Sequence, residues 1–113
     1  MKLEKKPALS DGHMNEAARL FGILSEPSRL KLLRTLMERE MTVSELVAAT
    51  GMKQGNVSKH LGVLLTARFV ARRQEGNFAR YSIADQRLED LCHLMCMRID
   101  DEAARFTESL RSN

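Results

Sequence analysis

Two thiols, Cys92 and Cys96, stand four residues apart with His93 beside the first, in a stretch whose apolar spacing reads as helix. Side chains four apart lie on one side of a helix, one turn from each other. The two sulfurs can therefore approach one soft ion such as Hg(II), or share As(III) with a third ligand from water, another thiol or a second subunit. Oxidation is the other chemistry open to them, easier between subunits than within one helix, where geometry strains a disulfide. The competing reading is structural, because free cysteine is among the most buried residue types and packs as a small hydrophobe. A thiol catalyst built on Cys92 and His93 is excluded: adjacent helical residues point in different directions, and no base, orienting acid and oxyanion donor gather around them. The chain reads as a non-enzyme.

The second chemically loaded stretch is cationic. Residues 53–81 carry six Lys and Arg against one acid, Glu75, whereas 1–52 carry eight against seven and 82–113 four against seven. The net charge of +3 is thus concentrated in the middle of the chain, and no acid falls between Lys53 and Arg73. Such a segment attracts a polyanion. Within it, Lys53, Gln54, Asn56, Ser58, Lys59 and His60 can donate to phosphates and base edges, and Arg72, Arg73, Asn77 and Arg80 to phosphates or an adjacent minor groove. His60 is also readable as an internal hydrogen-bonding group and Ser58 as a helix-facing hydroxyl.

These residues need a scaffold, and the sequence describes one. Thr42 with Glu45 three residues on forms a capping box, so a helix starts near Val43; Val43, Leu46 and Val47 follow at helical spacing, and Gly51 ends it. Helical spacing resumes with Val57, Leu61, Leu64 and Leu65 inside and Gly55, Asn56, Lys59 and Gly62 outside. Two helices, a tight turn and a bare, small-residue, cationic second helix make a helix-turn-helix. Upstream, 13–24 is a helix on Ala17, Leu20, Phe21 and Leu24. The stretch 28–40 is a scaffold helix with Leu30, Leu33, Leu36 and Met37 inward and Arg29, Lys31, Arg34 and Arg39 outward. Downstream, 69–74 and 78–83 are rich in β-formers and arginine and flank Glu75-Gly76-Asn77, a hairpin that would act as a wing. From 85 to about 110 runs a long final helix. The expected fold is mainly α with a small β-hairpin, a winged helix-turn-helix of five helices with the hairpin between the fourth and fifth.

At 113 residues this is one domain, 13–110, with a flexible arm at 1–12 and a short tail at 111–113. No apolar run is long enough to cross a bilayer and 1–13 lacks the apolar centre of a signal peptide, so a cytoplasmic protein without membrane contact is expected. Two cysteines are too few for a disulfide scaffold.

The final helix carries one apolar stripe, Ala84, Leu88, Leu91, Met95, Ile99, Ala103, Phe106 and Leu110, longer than so small a core can cover. Its surplus face needs a partner, and a second copy is the simplest. Leu20, Leu88, Leu91, Met95, Ile99 and Phe106 are the expected dimerisation residues, giving a homodimer through the terminal helices. Such a dimer sets two reading helices on successive turns of double-stranded DNA and prefers an inverted repeat. The alternative is a protein-interaction module whose final helix takes a different partner, with structural cysteines and no effector sensing.

The order of helices, SEPSRLKLLRTL, TVSELVAATGMKQGNVSKHLGVL and RRQEGNFARYSIAD together resemble the ArsR/SmtB family of winged-helix repressors. The likeness runs from about Ala17 through the last helix. It implies a dimeric bacterial repressor released from its operator by a metal, metalloid or reactive small molecule. It also implies where a sensor would lie. The Cys-Val-Cys of metalloid-sensing members falls on Thr42-Val43-Ser44, whose hydroxyls are poor ligands for soft ions. The terminal-helix zinc site of other members matches at Asp85 and near Asp101, but its histidine positions fall on Arg87 and Arg98, which cannot bind a cation. Persulfide-sensing members pair a cysteine on the second helix with one on the last; the second helix here has none. Cys92 and Cys96 are left as the tentative sensor, for a soft metal or metalloid ion or for redox modification.

Overall fold

A computed structural model describes residues 9–112. The chain runs α1 (Asp11–Leu24), α2 (Pro27–Glu38), β1 (Met41–Thr42), α3 (Val43–Thr50), α4 (Gln54–Thr66), β2 (Val70–Glu75), β3 (Phe78–Ile83) and α5 (Gln86–Arg111). This is the winged helix-turn-helix that the helical spacing, the capping box and the arginine hairpin predict. The first eight residues of the expected arm lie outside the described residues, and its last two, Asp11 and Gly12, already belong to α1, which Ser10 caps through the backbone of His13. Arg111, expected in the tail, is the last residue of α5.

Local chemistry sets most boundaries. Pro27 stands at the start of α2, where its missing N–H costs nothing. At α3 both halves of the capping box form: Thr42 Oγ1 accepts from the Glu45 N–H at 3.2 Å and Glu45 Oε1 accepts from the Thr42 N–H at 3.0 Å. Gly51 takes φ 72° to close α3, a conformation that disfavours any side chain. Gly76 takes φ 60° at the tip of the hairpin while Asn77 does not turn positive, the pattern of a type II′ turn.

Two features were not legible beforehand. Met41–Thr42 forms a short third strand, so the sheet runs β1-β3-β2, antiparallel throughout, with Thr42 opposite Arg80 and Arg80 opposite Arg73. Two residues carry no detectable period. The phase of α2 also differs: Leu32 and Leu33 are fully buried, whereas Leu30 is exposed and Arg29 is half-buried. Residues 29, 32, 33 and 36 share one face at 3.6 residues per turn, and three leucines on that face bring Arg29 inward with them.

The core gathers Leu24, Leu32, Leu33, Leu36, Met41, Leu46, Val57, Leu61, Leu64, Val70 and Leu88. Leu88, expected at a dimer surface, is spent inside the subunit, with Leu91 and Cys92 packed partly against the same cluster. The stripe of α5 is thus divided. Its first two turns close the core, and beyond them the helix leaves the subunit: Met95, Ile99, Phe106 and Leu110 on the same side are 56 to 66 % exposed.

Candidate nucleic-acid interface

The reading helix α4 buries Val57, Leu61 and Leu64 and turns Gln54, Gly55, Asn56, Ser58, Lys59 and Gly62 to solvent, with Lys53 capping it. Lys59 forms no ion pair among the described residues, and neither does Lys53. The result is a narrow, acid-free, donor-rich face whose glycines at 55 and 62 leave open space around the backbone. The major groove of B-DNA is wide enough to admit a helix of this profile.

His60 is not on that face. It is buried, with Arg29 Nε donating to its Nδ1 at 3.2 Å and Glu26 Oε2 lying 3.5 Å from its Nε2. The expectation of a DNA contact at His60 is therefore corrected: three residues after Val57 and four before Leu64, it falls at the edge of the packed side.

The wing is more tightly engaged than its charge implied. Arg73 bonds Glu40 at 2.6 Å and Glu75 at 3.0 Å; Arg80 bonds Glu45 at 3.1 Å and Glu75 at 3.3 Å; Arg39 reaches the other oxygen of Glu45 at 3.1 Å. Arg73 and Arg80 face each other across β2 and β3, a repulsive pairing that these three carboxylates relieve. Two of the acids, Glu40 just before β1 and Glu45 at the head of α3, come from outside the hairpin, and the hairpin reading did not place them nearby. Arg80, half-buried, is a structural fastener before it is a contact, and Arg73 is only partly free. Arg72 bonds neutral Gln74 at 3.1 Å, and Arg72 and Asn77 both stand exposed.

Glu45 thus serves the α3 cap and the wing with one carboxylate. The backbone N–H of Thr42, then Arg39, hold its carboxyl at about 2, well below the ordinary 4.5. A depressed folded-state value means the stabilisation is fully present above the ordinary range and fades as pH falls toward about 2. Glu45→Gln is expected to melt below wild type at neutral pH and to converge with it near pH 2 in thermal melts across that range; parallel curves would remove Glu45 from the network.

At the head of α5, Asp85 caps the helix and is gripped by Arg87, whose Nη2 reaches Oδ2 at 2.7 Å; the guanidinium and the Arg87 N–H hold the carboxyl at about 2. Arg98 lies 3.7 Å from Glu102. Both arginines at the resemblance's histidine positions are thus engaged by acids. Cys92 is half-buried and Cys96 exposed, both as free thiols; burial, then the neighbouring Cys96, pushes the Cys92 thiol up. Among the described residues no three His, Cys, Asp or Glu side chains are grouped to hold a metal, and no helix is long and apolar enough to cross a membrane.

Comparison with known proteins bears on this arrangement. The family described as bacterial regulatory protein, arsR family, matches residues 26–72, from the start of α2 into the wing. A probable mercury resistance operon repressor of Streptomyces lividans is 40 % identical over 93 residues, spanning 81 % of this chain and 74 % of that protein. The chain belongs to the arsR family of bacterial regulatory proteins. The crystal structure of Mycobacterium tuberculosis Rv0081 superposes with a TM-score of 0.77 at 32 % identity, covering 84 % of this chain and 96 % of that one. The homodimeric winged helix-turn-helix domain Mb0332 from Mycobacterium bovis, a solution structure, gives 0.75 at 26 % identity, covering 89 % and 94 %.

As an arsR-family member the protein is a transcriptional regulator with a DNA-binding helix-turn-helix, and its matches are regulators rather than enzymes. Sequence reasoning missed Glu26 and Glu40, read Glu45 only as a cap and Arg29 only as outward, and so missed their pairing with His60 and with the wing arginines. Their signal was too thin to read, because each lies in a different element from its partner.

Proposed function

We propose that this arsR-family regulator acts as a homodimeric, sequence-specific repressor on an inverted-repeat operator, released by a soft metal, a metalloid or another thiol-reactive effector at Cys92 and Cys96. The observation that carries the DNA half is the outer face of α4, where Lys59 stands exposed without an acid while every inward position is committed to packing. Lys53, Gln54, Asn56, Ser58 and Lys59, with Arg72 and Asn77 of the wing, are the contacts we assign; Arg73 and Arg80 reach phosphate only by exchanging their present acids. A duplex selected by the protein from a random-sequence pool, then tested by salt-dependent gel shift, examines it: Asn56→Ala should relax discrimination, and a pool that yields no preferred sequence would overturn the reading.

The homodimer rests on the uncovered stripe of α5, joined by exposed Met14 and Phe21 on α1 and half-buried Leu20. The homodimeric Mb0332 domain supports it by analogy. The effector half rests on the two thiols themselves, at the point where α5 passes from the core to the uncovered stripe. Two thiols taking Hg(II) would form two Hg–S bonds and release two protons, and drawing Cys92 toward the ion would disturb its packing against the core and so shift α5. The mercury designation of the Streptomyces relative favours this ion among the soft candidates.

Addition of Hg(II) is expected to weaken operator binding on the order of tenfold or more, within the usual range of allosteric coupling, in wild type but not in a Cys92→Ser, Cys96→Ser protein. Because Cys92 must lose a proton that burial makes it keep, capture should strengthen as pH rises. Equal release of both proteins by Hg(II) would end the sensor assignment.

A further inference from the structure

Inside the otherwise apolar packed side of α4 sits one polar ring, His60, and every hydrogen-bonding group around it belongs to the α1–α2 corner. Arg29 Nε donates to its Nδ1 at 3.2 Å; Arg29 Nη1 donates to the Ile23 carbonyl at the end of α1 at 3.1 Å. Glu26 caps α2 by accepting from the Arg29 N–H at 3.2 Å, and the same Oε2 lies 3.5 Å from His60 Nε2. A guanidinium has no acceptor, so Nδ1 must be the accepting nitrogen and Nε2 carries the ring hydrogen toward Glu26. Partial burial opposes ionisation of Glu26, but the backbone N–H groups of Ser28 and Arg29, with the nearby Arg29 guanidinium, outweigh it and keep the carboxylate charged.

We infer that His60 is a positioning residue for operator recognition: the Glu26–Arg29–His60 linkage locks the rotation of the reading helix about its own axis against α1 and α2. Val57, Leu61 and Leu64 hold the helix in place but fix its rotation less sharply, since the hydrophobic effect is non-directional whereas a hydrogen bond weakens steeply when its angle opens. Rotation is what recognition depends on. Lys59 precedes His60 and Asn56 lies one turn before it, so a small turn of the helix carries both away from the face they present. Arg29 also fastens the end of α1, which makes the linkage a direct path from α1 to the reading helix.

The inference deepens the operator reading and rests on it. The test uses a duplex selected by wild type from a random pool, an unrelated duplex of equal length, and the full-length variants His60→Leu and His60→Gln. Glutamine keeps an acceptor for Arg29 and a donor for Glu26; leucine keeps only the volume. His60→Leu is expected to lose on the order of tenfold in preference for the selected duplex, about the free energy of one hydrogen bond to a charged group. Binding to the unrelated duplex at low salt should stay unchanged, and His60→Gln should restore most of the preference. Nitrogen chemical shifts of the imidazole should show the Nε2–H tautomer in the free protein. Equal preference in the leucine and glutamine variants, or an Nδ1–H tautomer, would overturn the inference. A wild type without any preferred duplex would instead sink the operator reading, and the tautomer alone would then decide the linkage.

Discussion

Lys59→Glu is expected to cost the regulator at least about a hundredfold in affinity for its selected duplex and to make that affinity less steep in salt. The lysine is exposed on the outer face of α4 and has no ion-pair partner among the described residues, so in the free protein its charge is uncommitted. Each phosphate neutralised on B-DNA contributes roughly 0.9 to the slope of log affinity against log salt. A dimer presents the side chain twice, so the slope should fall by about 2. Reversal does more than removal, because two glutamates then face the phosphate backbone at close range. The fold should be untouched: the side chain packs on nothing in the core, and the thermal midpoint should match wild type. Unchanged affinity and slope in a salt-dependent titration would show that α4 does not read DNA with this face.

Ile99→Asp should divide the homodimer. In the isolated subunit Ile99 is 58 % exposed, midway along the part of α5 that touches no core, so the substitution places a carboxylate in water and leaves the winged domain folded. Across a two-fold axis the same change occurs twice. Burial of one such side chain is worth roughly 2 kcal/mol, and two copies make roughly 4 kcal/mol, about a thousandfold in the dimer dissociation constant. Operator affinity should fall with it, because a half-site held by one reading helix forgoes the second. Asp101→Ala, on the opposite side of α5, is the control. Sedimentation at micromolar concentration should give a folded monomer for Ile99→Asp and a dimer for the control. A dimeric Ile99→Asp protein would move the interface elsewhere.

The contrast between these two residues and His60 shows which kinds of information a linear chain carries openly. Capping, glycine closure and apolar period are local, reaching no more than four residues, so α3, α4 and the hairpin were readable to within a residue or two, and the bareness of α4 followed from counting acids. Lys59 and Ile99 could be placed on outward faces for the same reason. The division of the α5 stripe was not readable. Leu88 and Phe106 look alike in the period, and only the packing of the rest of the fold determines that one is covered and the other is not.

The residues read best alone were those whose role depends on their own helix. Helical periodicity placed the exposed face of α4, the thiol pair and the surplus stripe, since a period of 3.6 assigns faces without reference to anything distant. Long-range polar pairing needed the folded chain: Arg29 with His60, Arg73 with Glu40 and Arg80 with Glu45 join residues more than thirty positions apart. A charged side chain can turn to solvent or to any acid that packing brings near, and its own neighbours in the chain do not say which. That freedom is why Arg73 and Arg80 looked available and are held by acids, and why the two readings of His60 stayed open until the fold placed Arg29 and Glu26 beside it.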